Sequence, residues 1–413
     1  MKNTNISELP MHPEEYQVDH YARVDYNHLH SIMEDSERRF INGLIRWYEP
    51  ESILEIGVHR GGGTVNILNA ISDRDAELVS IDQAEICLAT EWQPESWWGV
   101  EWGTKIMVGD NVARSGVRAD KWRLITGREP SEALEELDLR FDFCVIDTDH
   151  RHPVESLNFL CVLPFLNDGA IVVLHDTTLY LNFAAEQCFA NRILMMTVCA
   201  DKLEPINSTL SFTGYPNIVA FQVTPATRKY VRNVFDSLML PWEEVSVNTA
   251  GIGAFISRHY SSELASYYDQ AVELQKRVKR ITFLKQLDGH ILTHKSEKTW
   301  FNEWRCLGSG VIFYGAGGNM RYLLETGQEL GWHFDCPIWD INAEQIGEIN
   351  GCPVSKPDFA IPAQSGERVC VTIDDPQVFT RVQGQLVPLG YRVFHGLREL
   401  IRDMRNSLPD HTY

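Results

Sequence analysis

The stretch from Glu51 to Thr64 constrains the fold of this chain more than any other. Its apolar run at residues 53–56 has the length of a buried strand and leads directly into a glycine-rich turn. Residues 64–71 then have a helical pattern. Glycine lets a ligand approach the backbone closely, and the first turn of a helix offers unpaired N–H groups. The order strand, glycine turn, helix therefore predicts the first unit of a nucleotide-binding α/β sheet.

The spacing of the glycines distinguishes between two kinds of nucleotide turn. A dinucleotide fingerprint needs glycine two residues after Gly57, where this chain has His59. The spacing present, Glu55-x-Gly57-x-x-x-Gly61, resembles motif I of the class I S-adenosylmethionine-dependent methyltransferases. That resemblance implies that Glu55, Gly57, Gly61 and Thr64 hold the methionine end of S-adenosylmethionine. An ordinary strand-to-helix turn is the alternative interpretation.

Length and composition limit the class of protein. A chain of 413 residues exceeds one typical core, so two domains are expected. The formal net charge of −20 argues against a general binder of nucleic acid or anionic membranes. No apolar stretch has the length of a membrane span, and the first residues lack the apolar core of a signal peptide. The nine cysteines form no Cys-x-x-Cys pair, which is typical of reduced thiols in a cytoplasmic protein.

Two further turns of the same predicted sheet supply candidate cofactor contacts. The second predicted strand, residues 78–81, ends in Asp82, whose carboxylate can accept both hydroxyl hydrogens of a ribose diol. A bare acid at a strand end is the alternative. The third predicted strand runs over residues 121–127. The resemblance places the turn after it near the adenine, which makes Gly127 and Arg128 candidates there.

Two neighbouring predicted strands, at residues 141–146 and 170–174, both end in acidic residues. The carboxyl ends of strands in such a sheet form the edge that binds ligands. Carboxylate oxygens are the ligands that magnesium and calcium prefer. We therefore expect a divalent cation between these ends, among Asp147, Asp149 and Asp176.

The same residues sharpen the resemblance. Ile-Asp-x-Asp-His followed by Gly-Ala-Ile-Val-Val-Leu-His-Asp-Thr looks like the metal-dependent small-molecule O-methyltransferases, nearest the branch of macrolide-sugar O-methyltransferases and cephalosporin hydroxylase-like proteins. It covers about residues 30–260. It implies that Asp147 and Asp176 bind Mg²⁺ and that Asp147 also borders the cofactor. His175 is a third candidate ligand, at a place where the family commonly has an acid.

The chemistry of methyl transfer to oxygen explains these residue types. The cofactor carries the activated methyl group, so the protein must align the acceptor hydroxyl and help to remove its proton. A cation lowers the pKa of that hydroxyl, and a nearby base takes the proton. His150 is the first candidate for the base and Asp149 the second. A surface or helix-capping histidine is the alternative for His150.

Other segments carry weaker predictions. Residues 28–48 predict a helix that packs on the sheet or covers the cofactor cleft. Residues 217–223 and 251–256 are expected to be strands six and seven, an antiparallel hairpin. A tryptophan-rich insertion is a candidate lid, a sugar-stacking wall, a segment folded back on the domain, or an oligomer contact. Its members are Trp92, Trp97, Trp98 and Trp102.

The rest of the chain predicts a linker and a second domain. The expected limits are 1–260 for the methyltransferase domain, 261–300 for a helical linker and 301–413 for a smaller Rossmann-like domain. A short heptad pattern at residues 261–287 favours either a homodimer or a helix packed on its own domain. The second domain has another glycine turn and strand-end acid, which indicate a nucleotide site or only a structural or docking module; they are Gly315, Gly317, Gly318 and Asp340.

The sequence thus predicts an α/β protein with a Rossmann-like class I methyltransferase domain and a second Rossmann-like domain. The expected activity is Mg²⁺-assisted O-methylation of a sugar or sugar-containing small molecule. One alternative is a non-catalytic nucleotide-sugar-binding or scaffold protein of an assembly pathway. Hydroxylase-like or N-methyltransferase chemistry on the same fold is another, and a redox enzyme built on the second glycine turn is a third.

Overall fold

The chain divides into two compact units, Met1–Gln275 and Lys276–Tyr413. The computed structural model describes residues 5–9, 12–26, 29, 33–89, 100–101, 103–181, 188–205, 214–243, 245–287, 311–329, 336–364, 367–373, 375–396 and 399. The four tryptophans of the predicted insertion, Trp92, Trp97, Trp98 and Trp102, lie outside the described residues. No helix within the described residues is long and apolar enough to cross a membrane.

The first unit is built on a mixed sheet with parallel strands at its centre. Its strands are β1 (Ser52–Ile56), β2 (Glu77–Asp82), β3 (Ile86–Leu88), β4 (Lys105–Met107), β5 (Trp122–Thr126), β6 (Phe141–Ile146), β7 (Leu166–His175), β8 (Lys202–Leu203) and β9 (Ile218–Gln222). The order in the sheet is β5-β2-β1-β6-β7-β9-β8, and β3 pairs with β4 in a separate hairpin. The first five strands in that order, β5, β2, β1, β6 and β7, run parallel to one another. Strand β9 is antiparallel to both of its neighbours.

Helices cover both faces of this sheet. They are α1 (Val18–Tyr21), α2 (Asp35–Tyr48), α3 (Gly62–Ala70), α4 (Asp110–Ser115), α5 (Pro130–Ala133), α6 (Val154–Val162), α7 (Ala190–Thr197), α8 (Pro225–Lys229), α9 (Arg232–Ser237), α10 (Thr249–His259) and α11 (Ser262–Leu287). Because both faces are covered, the central strands are nearly continuous apolar runs, and every residue of β6 is buried. Because β1, β2, β6 and β7 run parallel, their carboxyl ends meet at one edge of the sheet.

The prediction of a strand at residues 251–256 is wrong, because this segment belongs to helix α10. The Asn248 side chain accepts a hydrogen bond from the N–H of Gly251 (2.9 Å) and caps the helix. Ile252, Phe255 and Ile256 are buried at helical spacing. The antiparallel partner of β9 on the outer side is instead β8. A short run of glycines and apolar residues fits a strand or a buried helix equally well, which explains the error.

Helix α11 confirms the helix predicted at residues 261–287, and its first half packs on the first unit. Tyr268 and Ala271 are buried in the core of that unit. Gln275 is also buried, and its Nε2 donates hydrogen bonds to the carbonyls of Leu238 (3.0 Å) and Leu240 (2.9 Å). Part of the heptad face is therefore used within the unit, and the homodimer stays a prediction, as do the expected domain limits.

The second unit has its own parallel-rich sheet. Its strands are β10 (Val311–Tyr314), β11 (Ile338–Trp339), β12 (Glu348–Ile349), β13 (Cys352–Ser355), β14 (Arg368–Val371) and β15 (Arg392–His395), in the order β12-β13-β11-β10-β14-β15. Its helices are α12 (Gly318–Glu329), α13 (Ala343–Ile346) and α14 (Pro376–Leu386). All pairs are parallel except β12 with β13. The predicted fold class, with a Rossmann-like α/β sheet in each part, is confirmed.

Candidate functional site

The glycine turn after β1 is held against the ends of two other strands. Gly57 has φ +88°, and a Cβ there would lie 1.8 Å from the carbonyl oxygen of Asp147. Its N–H donates to the carbonyl of Ile81 (2.9 Å), and the N–H of Asp147 donates to the carbonyl of Ile56 (2.9 Å). Only glycine fits this position, because a side chain would overlap the backbone of the neighbouring strand end.

Asp82 is tied to the glycine turn by hydrogen bonds from the backbone. Its Oδ2 accepts the N–H groups of Val58 (2.9 Å) and His59 (3.0 Å), and its Oδ1 accepts that of Ala84 (2.8 Å). Since a carboxylate oxygen has two lone pairs, Oδ1 keeps capacity for one more donor. Asp82 therefore both fixes the turn and offers an acceptor at the place predicted for a ribose.

Glu55 lies beneath the turn. It is buried, and its Oε2 accepts hydrogen bonds from the hydroxyls of Thr64 (2.8 Å) and Ser80 (2.6 Å). Burial raises the pKa of Glu55 to about 7. Glu55 thus links β1, β2 and the start of α3, where Gly61 is the N-cap with φ +87°.

The ligand edge of the sheet opens into a cavity of ≈ 630 Å³. This volume is in the range of small-molecule sites. The cavity reaches from the glycine turn to the ends of β6 and β7, and Gly57, Asp82, Asp147, Asp149, His150, His175 and Asp176 line it. The predicted cofactor residues Glu55, Gly61, Thr64, Gly127 and Arg128 are not among the lining residues.

Arg128 turns to a different partner, and the residues that follow it line the cavity instead. The Arg128 guanidinium pairs with the carboxylate of Glu136 at 2.6 Å. Glu129 and Ser131 contribute to the cavity wall, and their atoms Oε2 and Oγ are buried. Sequence reasoning missed these two residues, although Glu129-Pro130-Ser131 directly follows the turn that was predicted to lie near the adenine.

Asp147, His175 and Asp176 bring three potential metal-ligating atoms within 4.8 Å of one another. We call these three residues the strand-end cluster. The Nδ1 atom of His175 lies 3.2 Å from Oδ1 of Asp147 and 3.4 Å from Oδ2 of Asp176. Asp149, which the sequence also placed with the cation, lies in the cavity wall with its carboxylate paired to Arg151 (2.9 Å). Of the four candidates for the cation, Asp147, Asp176 and His175 thus lie together and Asp149 does not join them.

Two residues that sequence reasoning did not assign to the cation support the cluster from behind. Nε2 of His175 lies 2.9 Å from Oε2 of Glu37, on helix α2. The amide of Asn217 donates to Asp176 Oδ1 (2.6 Å) and to Glu37 Oε1 (3.1 Å). Glu37 and Asn217 are both buried. No pattern in the sequence predicts that Glu37 lies beside the cluster, because only tertiary packing brings helix α2 to the end of β7.

His150 lies beside the cluster in a left-handed backbone conformation, with φ +64°. Its Nε2 is 3.2 Å from Oδ2 of Asp176, and its Nδ1 is 3.6 Å from Oε1 of Glu155. Glu155 also accepts the backbone N–H of His150 at 2.6 Å, which holds the turn. Glu155 was missed as well, although it follows His150 by only five residues.

Burial and charge act in opposite directions on the titratable groups here. Burial lowers the pKa of His150 and of His175, but the surrounding carboxylates, Asp176 first, outweigh it and raise both pKa values. Burial raises the pKa of Asp176, but the two imidazoles outweigh it and hold that pKa well below its usual range. Burial also raises the pKa of Glu155 to about 7. The cluster is therefore an environment that strongly favours positive charge between its carboxylates.

The second unit brings its four predicted residues together around another glycine turn. Asp340 accepts the N–H groups of Ala316 (2.9 Å) and Asn342 (2.8 Å). Gly315 has φ +110°, and a Cβ there would lie 2.5 Å from Cγ1 of Ile373. A Cβ at Gly317 or Gly318 would meet no atom within 4 Å. Within the described residues, this turn has no group of metal-ligating side chains beside it.

Part of this chain matches a known protein family. The family model described as "Methyltransferase domain" matches residues 54–177. No curated protein matches the chain. Similar solved structures include the O-methyltransferase TomG from Streptomyces achromogenes in complex with S-adenosylmethionine, at 19% identity and TM-score 0.34, covering 50% of this chain and 91% of that one. Another is an O-methyltransferase from Bacillus cereus in complex with S-adenosylhomocysteine, at 18% identity and TM-score 0.33, covering 50% and 88%.

The matched segment contains the features on which the site is built. It includes the glycine turn, Asp82 and the ends of both acidic strands, and it stops one residue after Asp176. Residues 54–177 therefore belong to a methyltransferase domain, and the predicted class of enzyme, a class I S-adenosylmethionine-dependent methyltransferase, is confirmed for this part of the chain.

Proposed function

We propose that the protein transfers a methyl group from S-adenosylmethionine to a hydroxyl of a sugar or sugar-containing small molecule, with the help of a divalent cation. One observation carries the choice of oxygen as acceptor. The strand-end cluster and His150 line the same cavity as the glycine turn and Asp82. A cofactor at the turn and a hydroxyl at the cluster would thus share one enclosed space.

The cofactor end of the cavity is assigned from the needs of S-adenosylmethionine. Its methionine end faces the glycine turn, where Gly57, Gly62 and Gly63 line the cavity without side chains. Its ribose faces the free acceptor capacity of Asp82 Oδ1. Its adenine lies toward Glu129 and Ser131, which line the cavity with buried polar atoms. Val247 and Ile252 provide apolar surface in that part of the cavity.

The strand-end cluster fits a divalent cation. Oδ1 of Asp147, Nδ1 of His175 and Oδ2 of Asp176 converge, and the carboxylates of this group favour positive charge between them. A cation held there would act as a Lewis acid that lowers the pKa of an acceptor hydroxyl. These three residues would hold it, with Glu37 and Asn217 behind them.

His150 is assigned as the general base. A cation in the cluster would offset the carboxylates that raise the pKa of His150, and in the proposed step the neutral ring takes the proton of the acceptor hydroxyl on Nε2, which faces the cluster. The new C–O bond forms as the C–S bond of the sulfonium breaks, and its electron pair stays on sulfur as the neutral thioether. Asp149, the second candidate for the base, is paired with Arg151 and is less available for this role. His150 later releases the proton to solvent.

The sugar acceptor and the role of the second unit are further parts of the proposal. The sugar is implied by the resemblance of residues 30–260 and by the tryptophan-rich segment, which lies outside the described residues. We assign the second unit a role in recognising or localising the substrate. An alternative is that the turn at Gly315 binds a nucleotide. The alternative of a non-catalytic binding protein predicts cofactor affinity without turnover.

Calorimetry followed by a transfer assay tests this proposal. S-adenosylmethionine and S-adenosylhomocysteine are titrated into the full-length protein with and without a divalent cation, and micromolar binding is expected. Transfer of labelled methyl to a panel of nucleotide sugars is then measured for the wild type and for Asp147→Asn. We expect S-adenosylhomocysteine to bind both proteins, with transfer lost only in the variant. Absence of cofactor binding by folded wild type refutes the proposal, and unchanged transfer in the variant refutes the role of the cation.

A further inference from the structure

His175 is oriented so that one ring nitrogen faces a carboxylate behind it and the other faces the cavity side. The ring is buried, with Nε2 at 2.9 Å from Oε2 of Glu37. The other nitrogen, Nδ1, lies 3.2 Å from a carboxylate oxygen of Asp147 and 3.4 Å from one of Asp176. Both ring nitrogens therefore face carboxylates, an arrangement that suits a proton or another positive charge at each of them. A cation between Asp147, Asp176 and Nδ1 would take the place of the Nδ1 proton, while Nε2 stays toward Glu37.

Asn217 fixes the second ligand in the same way. Its Oδ1 accepts hydrogen bonds from the N–H (2.9 Å) and the hydroxyl (2.8 Å) of Thr178, which settles the orientation of the amide. Its Nδ2 then donates to both Asp176 and Glu37. One carboxylate oxygen of Asp176 is thereby occupied, and Oδ2 is the one that faces His175 and His150.

Glu37 closes these contacts into a ring. One of its oxygens faces His175 and the other accepts from Asn217, which in turn holds Asp176. Oε2 also accepts the backbone N–H of Glu34 (2.8 Å) and so anchors the first turn of α2. The orientations of both ligands therefore depend on one buried carboxylate from a helix outside the sheet. In metal sites, such partners fix the tautomer of a histidine ligand and raise its basicity.

We propose that the strand-end cluster selects a nitrogen-tolerant divalent transition metal, such as Fe²⁺, Co²⁺ or Zn²⁺, over Mg²⁺, and that Glu37 and Asn217 are the positioning residues for this selection. The inference rests on the cation of the proposed function and names its chemical class. Imidazole nitrogen suits the later first-row metals, whereas Mg²⁺ prefers oxygen donors in a near-ideal octahedron. The buried His175 replaces an oxygen donor with nitrogen at a position where it cannot turn away.

Calorimetric titration of CoCl₂ and MgCl₂ into the chelator-treated full-length protein tests the selection. Most sites bind Co²⁺ more tightly than Mg²⁺, so the quantity to compare is the affinity ratio in the wild type and in His175→Asp. We expect the ratio of Co²⁺ to Mg²⁺ affinity to fall roughly 10-fold or more in the variant. We also expect the visible absorption of the Co²⁺ protein to change, because a nitrogen ligand is lost. An unchanged ratio, or no metal binding by the wild type, overturns the proposal.

Glu37→Gln tests the positioning residue without touching a ligand. Loss of its charge is expected to weaken Co²⁺ binding by roughly 10- to 100-fold while S-adenosylhomocysteine still binds. Glu49→Gln is the matched control, since Glu49 lies at the other end of the same helix and pairs with Arg74 (3.2 Å). The control should leave the metal affinity unchanged. Equal metal affinity in Glu37→Gln and wild type would show that the contacts of Glu37 with His175 and Asn217 have no role in metal binding.

The cofactor titration separates this inference from the proposed function. If folded wild type fails to bind S-adenosylhomocysteine, the methyltransferase assignment of the site fails whatever the metal does. If S-adenosylhomocysteine binds and the metal ratio does not respond to His175→Asp, only the inference fails. Should His175→Asp not fold, judged by circular dichroism, the Glu37→Gln titration and the Co²⁺ spectrum of wild type decide the question.

Discussion

The two glycine turns of this protein share one construction and differ in what surrounds them. In each, a glycine with positive φ follows a buried strand, and an aspartate at the end of the next strand accepts N–H groups of the turn. In the first unit, the adjacent strands end in Asp147, His175 and Asp176. In the second, strand β14 ends before Thr372, whose hydroxyl donates to the carbonyl of Gly315 (2.7 Å).

The comparison separates what belongs to the fold from what belongs to chemistry. Asp82 and Asp340 both secure a turn, so a strand-end acid at this place is first a structural device. The position two residues before the glycine differs, with Glu55 in one unit and Phe313 in the other. Ligand-forming side chains on the neighbouring strand ends are found beside only the first turn among the described residues. The glycine pattern alone is therefore a poor guide to activity.

The largest expected effect is that of Gly57→Ala. The added Cβ would lie 1.8 Å from a backbone oxygen of the adjoining strand end, and positive φ adds further strain. We expect a loss of about 3 kcal/mol or more in the free energy of unfolding of the first unit. Chemical denaturation followed by circular dichroism measures it. Gly315→Ala, which meets a side chain rather than backbone, should cost less, and a reversed order would contradict the comparison.

The buried acid of the first turn gives it a pH dependence that the second turn lacks. The pKa of Glu55 is raised to about 7 in the folded state, so between pH 4.5 and 7 the folded protein binds more protons than the unfolded one. Its contribution to stability is therefore present below the unfolded pKa and is lost as pH rises toward 7, by roughly 2–3 kcal/mol. Glu55→Gln should remove this component. Parallel stability-against-pH curves for variant and wild type would refute it.

Replacing each strand-end aspartate compares the turns in cofactor binding. Asp82→Asn removes a charge that accepts three backbone hydrogen bonds beside the cavity. We expect the affinity for S-adenosylhomocysteine to fall roughly 10- to 30-fold by calorimetry. Asp340→Asn, the matched change in the second unit, should leave that affinity unchanged. A loss in both variants would mean that the second turn also contributes to cofactor binding.

The smallest expected effect is that of Gly317→Ala. A Cβ at this position would meet no atom within 4 Å. The free energy of unfolding should change by less than about 0.5 kcal/mol, as measured in the same denaturation experiment. A large loss would show that this glycine is required by something close to it, as Gly57 is.

Local pattern and sheet topology were sufficient to predict the fold class and the strand ends that meet at the ligand edge, although residues 251–256 form a helix and not the predicted strand. Buried strands at residues 53–56 and 141–146 are apolar runs, and parallel strands necessarily bring their ends to one edge. That rule placed Asp147 and Asp176 together. The contact of Glu37 with His175 could not be predicted in this way, since it depends on how a helix packs on the sheet. Arg128 was assigned to the cofactor, but its long side chain reaches Glu136 instead, a choice that sequence does not reveal.

Helix α11 has a practical consequence for dissecting the protein. Its Tyr268 ring packs against Gly253, and its hydroxyl donates to the carbonyl of Thr249 (3.0 Å). A truncated methyltransferase fragment that ended at residue 260, where composition changes, would uncover the surface of α10 and leave the carbonyls of Leu238 and Leu240 without the amide of Gln275. A fragment that retains the helix through Gln275 keeps the surface of α10 covered. The residue at which the chain is cut therefore decides whether the isolated domain exposes this apolar surface and aggregates.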